Sequence, residues 1–130
     1  MSDEQTAGQP RYLGRPSPAA VDDLDVLALR APVDVTFRSA ELTAICPVTG
    51  QPDFYTVEIH LDGAEVTIES KSLKLYLRTW DQVGILAEDL ASAIADRVWG
   101  AVEGRVEAVA VELAQARRGG IDTEVNARRP

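Results

Sequence analysis

The sequence is short of the residues from which most metal and redox sites are built. Its 130 residues include one cysteine, one histidine and one methionine. A single cysteine excludes an internal disulfide and a cysteine-based zinc site. A single histidine leaves no basis for a histidine-rich centre, so no metal is expected. Cations are also scarce: 13 Lys and Arg stand against 21 Asp and Glu, a formal net charge of −8. Holding a phosphate backbone needs clustered Lys and Arg, so no direct nucleic-acid partner is expected. No apolar run approaches the roughly 20 residues of a membrane span, so no membrane partner is expected. The opening MSDEQTAGQP is polar and acidic, unlike a secretory signal. A reducing, cytoplasmic setting is the simplest reading of the cysteine count.

What is present fits one domain. Apolar residues make up 45% and charged residues 26%, ordinary values for a soluble globular chain. Two domains of half this length would each bury too little. Residues 1–20 carry Gly8, Pro10, Gly14, Pro16 and Pro18 among polar neighbours. Such a segment buries too little apolar surface to offset its ordering entropy, so it reads as a mobile arm. Residues 21–125 read as the single domain, and residues 126–130 as a loose tail.

Hydrophobic periodicity organises the rest. Val33, Val35 and Phe37 alternate with polar residues, as in a half-buried strand. Tyr55, Val57, Ile59 and Leu61 repeat the pattern, and Asp62-Gly63 is a hairpin-type dipeptide leading to a third strand, Ala64 to Glu69. The period then lengthens. Leu73, Tyr76, Leu77 and Trp80 have helical spacing, with either Ser70 or Ser72 available as N-cap. Val83, Leu86, Leu90, Ile94 and Val98 mark one face of a long helix that either Gly100 or Gly104 can end. Val109, Val111 and Leu113 form a last strand. Strands gathered on either side of a helical block imply an α+β fold with an antiparallel sheet, the helices covering one face.

Two clusters stand out chemically. Cys46 opens the run CPVTGQPDF, in which two prolines flank a Thr-Gly turn and bring Asp53 back toward the thiol. A thiol nucleophile works with a nearby proton-transfer group, and a carboxyl is a suitable one. The plainer reading makes Cys46 an inert buried thiol and Asp53 a turn residue. The second cluster, ESKSLKLY from Glu69 to Tyr76, puts hydroxyls and lysines at a strand-to-helix junction, suited to phosphate groups. Its plainer reading is a capped amphipathic helix with solvated lysines. It is no Gly-rich nucleotide loop. Glu88 and His60 read as surface groups. Arg117 and Arg118 precede Gly119-Gly120 and either reach an anion or flank a turn.

Together CPVTGQPDF and ESKSLKLYL, about fifteen residues apart, resemble the NADPH-dependent 7-cyano-7-deazaguanine reductases, the small single-module nitrile reductases of queuosine biosynthesis. The likeness runs from about Phe37, through Glu41-Leu42-Thr43, to Gly119-Gly120-Ile121. It implies a tunnelling fold: an antiparallel four-stranded sheet with two helices on one face, assembled into barrel-like homo-oligomers of stacked rings with sites between subunits. It implies reduction of the nitrile to an aminomethyl group with two NADPH, through a thioimide on Cys46 and with Asp53 as proton donor. It further assigns Ile68, Glu69, Ser70, Ala87 and Glu88 to the deazapurine base, and Lys71, Ser72, Lys74 and Arg118 to NADPH. The family usually carries a histidine where this chain has Ala87. Two alternatives remain open at this level: an amidine-forming, non-reductive relative acting on the same nitrile, and a purine- or pterin-binding protein of the same fold.

Overall fold

The computed structural model describes residues 23–130; the arm expected over residues 1–20 lies outside them. Element order is β1 (Val26–Ile45), β2 (Pro52–Ile68), α1 (Ser70–Leu77), a 3-10 turn (Arg78–Trp80), α2 (Ala87–Val102), β3 (Ala108–Arg118) and β4 (Ile121–Arg129). The four strands form one antiparallel sheet in the order β1-β2-β3-β4. The architecture is the expected one, but its strands are divided differently.

Asp62-Gly63 is not a hairpin turn. β2 runs through it unbroken, with Asp62 paired to Ala108 of β3 and Ala64 paired to Val33 of β1. The dipeptide's positive-φ capacity serves an irregularity in a long ribbon instead, and β1 shifts register opposite it, between Ala28 and Val35. Gly63 has φ 56°, its N–H donates to Asp34 Oδ1 at 2.8 Å, and an added Cβ would fall 2.5 Å from Glu107 Cδ. The fourth strand, Ile121–Arg129, takes in most of the segment 126–130 expected to be a loose tail. Gly119 and Gly120, at φ 58° and 80°, make a two-residue reversal that no L side chain enters cheaply. β4 then pairs with β3 from Ile121 to Arg129. Arg129 fastens it to α2, donating to Asp96 Oδ1 at 2.7 Å and Ser92 Oγ at 2.9 Å.

The helices also start elsewhere than expected. Neither serine caps α1: Glu69 does, accepting from Ser72 N at 2.9 Å and Lys71 N at 2.8 Å. α2 begins at Ala87 rather than near Val83. Residues 83–85 instead run beside the end of β1, with Ile45 N donating to Val83 O at 2.9 Å and Ile85 N to Ile45 O at 3.0 Å. Gly104, at φ 83°, turns the chain away just beyond the end of α2.

The core lies between the helices and one face of the sheet. Tyr55, Val57, Ile59 and Leu61 of β2 and Val109, Val111 and Leu113 of β3 meet Leu90, Ile94, Val98 and Val102 of α2. Ile94 is fully buried, and truncating such a side chain to alanine costs about 2–5 kcal/mol. The opposite face is polar. Arg38 Nε donates to Glu58 at 2.7 Å, and His60 lies 3.0 Å from Thr36 Oγ1 and within 3.6 Å of both Glu58 and Glu112. His60 is thus part of a cross-strand polar row rather than plain surface. No helix among the described residues is long and apolar enough to cross a membrane.

Candidate active site

One end of the sheet gathers most of the chemically distinctive side chains. The loop between β1 and β2 holds Cys46 at its first position, closed by Cys46 N to Gln51 O at 2.8 Å and Gly50 N to Cys46 O at 2.8 Å. The thiol is half-buried and free. The Thr49 hydroxyl, then the N–H groups of Thr49 and Val48, bond to its sulfur and hold its pKa below the ordinary cysteine value. Desolvation and the charge of Asp53 oppose that shift without reversing it. Such donors stabilise a thiolate, the form that acts as nucleophile.

Asp53 starts β2 seven positions on, with its side chain on the helix-covered face and 4% of its surface exposed. Its carboxylate pairs with the guanidinium of Arg118, which β3 carries to the same end of the sheet just before the diglycine reversal. A buried carboxylate is tolerable only with such a partner. Tyr55 follows on the same face, 2% exposed, and its hydroxyl has no hydrogen-bond partner among the described residues. Burial first, then the charges of Asp53, Glu88 and Cys46, push the phenol pKa up to about 12, against the pull of Arg118. Its hydroxyl is thus within electrostatic reach of all four groups. Glu88 reaches the cluster from the exposed first turn of α2, where a carboxylate also suits the helix dipole. Ala87 beside it is buried and offers only a methyl group.

Cys46, Asp53, Glu88 and Arg118 are therefore brought together. Ile68, Glu69 and Ser70 are not: they sit at the far end of β2, sixteen positions from Asp53. Ile68 is a core side chain paired with Val26. Both Glu69 oxygens cap α1. Ser72 is wholly buried, donating to Glu69 O at 2.8 Å and accepting from Asp25 N at 3.0 Å, so its hydroxyl serves the fold and faces no cofactor. Arg118, expected at the cofactor, stands against Asp53 instead.

A cleft of about 540 Å³ separates β1 from α1. Ser70, Lys74 and Arg78 line it at four-residue intervals, Glu41 and Asp81 line it as well, and Phe37, Leu73 and Leu77 give it apolar walls. Two cations beside an apolar surface fit a phosphate-bearing nucleotide. Lys71 does not line it. The sequence reading missed Arg78, although its spacing from Lys74 continued the helical row. It also missed Tyr55, hidden among alternating apolar residues.

Four antiparallel strands with two helices on one face, and a loop cysteine beside a buried aspartate, define the class to which comparison with known proteins assigns the chain. The sequence profile of the family described as QueF-like protein matches residues 52–130, and the chain belongs to that family. Curated relatives named NADPH-dependent 7-cyano-7-deazaguanine reductase include one from an Anaeromyxobacter species, 40% identical over 97 residues, covering 75% of this chain and 78% of the relative. Another, from Syntrophus aciditrophicus, is 40% identical over 93 residues, covering 72% and 65%. A crystal structure of the archaeosine synthase QueF-Like in the apo form superposes with a TM-score of 0.62 at 22% identity, covering 77% of this chain and 94% of that one. The fold is the tunnelling fold expected from the sequence.

Proposed function

We propose that this protein reduces the nitrile of 7-cyano-7-deazaguanine to a primary amine with NADPH, through a thioimide on Cys46. The observation that carries the reading is a half-buried thiol, lowered in pKa by three donors, that feels the charge of a buried carboxylate. The names of the relatives supply the substrate and the cofactor.

In the first step the Cys46 sulfur bonds to the nitrile carbon and one C–N π bond breaks. Asp53, entering as the carboxylate partner of Arg118, accepts the thiol proton and passes it to the nitrile nitrogen, giving Cys–S–C(=NH)–R. Arg118 compensates the charge of Asp53 when the proton leaves it again. Glu88 accepts the parallel N–H donors of the guanine-like edge. NADPH, when bound, would supply the two hydrides that carry the thioimide to the amine, with two protons from solvent, and the Cys46 thiolate would leave between them. Ser70, Lys74 and Arg78, which line the β1–α1 cleft, would hold the NADPH phosphates.

The same reading includes a homo-oligomer with sites between subunits. Val48, Phe54, Val83, Leu86 and Ile121 are exposed large apolar side chains in the segments that surround Cys46 and Arg118, as expected of a surface covered by another copy. Ile68, Glu69 and Ser70 of one subunit then approach the Cys46 end of its neighbour.

Incubating the protein with the nitrile and ammonia, with and without NADPH, tests the reaction. Amine formed only with NADPH supports the proposal. Amidine formed without NADPH overturns it in favour of the non-reductive reaction.

A further inference from the structure

The feature left unused by this chemistry is the Tyr55 hydroxyl. The side chain is among the most buried of the polar ones, and its oxygen has no hydrogen-bond partner among the described residues. A buried donor in that state is costly, and such a group calls for an explanation, a missing partner being one. Tyr55 lies two positions from Asp53 on the same strand face, so its ring and the Asp53 carboxyl enter the site from one side. Its hydroxyl feels Cys46 on one hand and Glu88 on the other. Ala87, next to Glu88 at the start of α2, is buried and offers only a methyl group where the resemblance implies an imidazole.

The substrate chemistry says what belongs between those two groups. On 7-cyano-7-deazaguanine the ring oxo group lies between the N1–H, which Glu88 holds, and the C7 nitrile, which Cys46 attacks. Resting on the proposed function above, we infer that the Tyr55 hydroxyl donates a hydrogen bond to that oxo oxygen and is a specificity-determining contact in place of the missing imidazole. A phenol of raised pKa keeps its proton throughout the neutral range, so the donor is always available. The contact distinguishes a 6-oxo from a 6-amino purine-like ring, since an amino group presents a second donor to the phenol. The neighbouring Cys46 loop is exposed throughout residues 47–51.

The test is Tyr55→Phe, which removes one oxygen, assayed by NADPH oxidation on the nitrile and on its 6-thio analogue. The analogue keeps N1–H but offers sulfur, a weak acceptor. The inference predicts a KM raised about five- to tenfold for the oxo substrate, little change for the thio substrate, and a melting temperature equal to or above that of the wild type. Equal effects on both substrates, an unchanged KM, or a lowered melting temperature would overturn it, because the hydroxyl would then be idle or structural. If the wild-type protein itself forms no adduct and oxidises no NADPH, the reductase reading fails and takes the inference with it. If the wild type turns over and Tyr55→Phe matches it on both substrates, the inference alone fails.

Discussion

The two motifs that dominate the sequence occupy opposite ends of β2 and have different fates. At the Cys46 end, the polar groups remain chemically available: a thiol, a carboxylate with a cation, and a hydroxyl with no partner. At the Glu69 end, much of the polar chemistry is consumed by the fold. Glu69 caps α1 with both oxygens, and Ser72 ties the helix start to Asp25. The row Ser70, Lys74 and Arg78 lines the β1–α1 cleft. A motif of reactive residue types thus divides into scaffold and site according to which backbone groups need partners locally. A strand-to-helix junction leaves several amide N–H groups unsatisfied, and the nearest carboxylate is drawn to them. A short loop closed by its own backbone bonds leaves its side chains free.

Mutation sharpens that contrast. Cys46→Ala should reduce NADPH oxidation on the nitrile to background with an unchanged melting temperature, measured by absorbance and thermal unfolding. Asp53→Asn should slow adduct formation by about 10²–10⁴-fold, the usual contribution of a positioned proton-transfer group, followed by mass spectrometry over time. Glu69→Ala should act on the fold: loss of its cap costs about 1–2 kcal/mol, read as a lowered denaturation midpoint. A Glu69→Ala variant of full stability and no activity would reverse the assignment of the two ends. The smallest effect belongs to Thr49→Val. Its hydroxyl is the largest cause of the lowered Cys46 pKa, so removing it destabilises the thiolate. The pH midpoint of Cys46 alkylation should lie below that of an unstructured cysteine in the wild type and rise in the variant.

The sheet-and-helices layout was legible because alternation and 3.6-residue periodicity report burial directly. Its boundaries were less so. Asp62-Gly63 carries the composition of a hairpin, but a bulge uses the same backbone freedom, and only the partner strand decides between them. β4 was hidden because its inward positions, Thr123, Val125, Ala127 and Arg129, include one large aliphatic residue. Cys46 and Asp53 were readable as a pair because one short loop joins them. Arg118 joins them only through the β2–β3 pairing, sixty-five residues from Asp53. Tyr55 reads as an ordinary core position until its hydroxyl is traced and found unpaired.

The central claim is a covalent bond at one sulfur. Intact and peptide mass spectra, taken after mixing the wild-type protein with 7-cyano-7-deazaguanine without NADPH, test it most directly. The account predicts a gain equal to the whole mass of the nitrile, carried by the peptide containing Cys46 and lost when NADPH is added. A protein that turns the nitrile over with NADPH while Cys46 stays unmodified at every time point would contradict it.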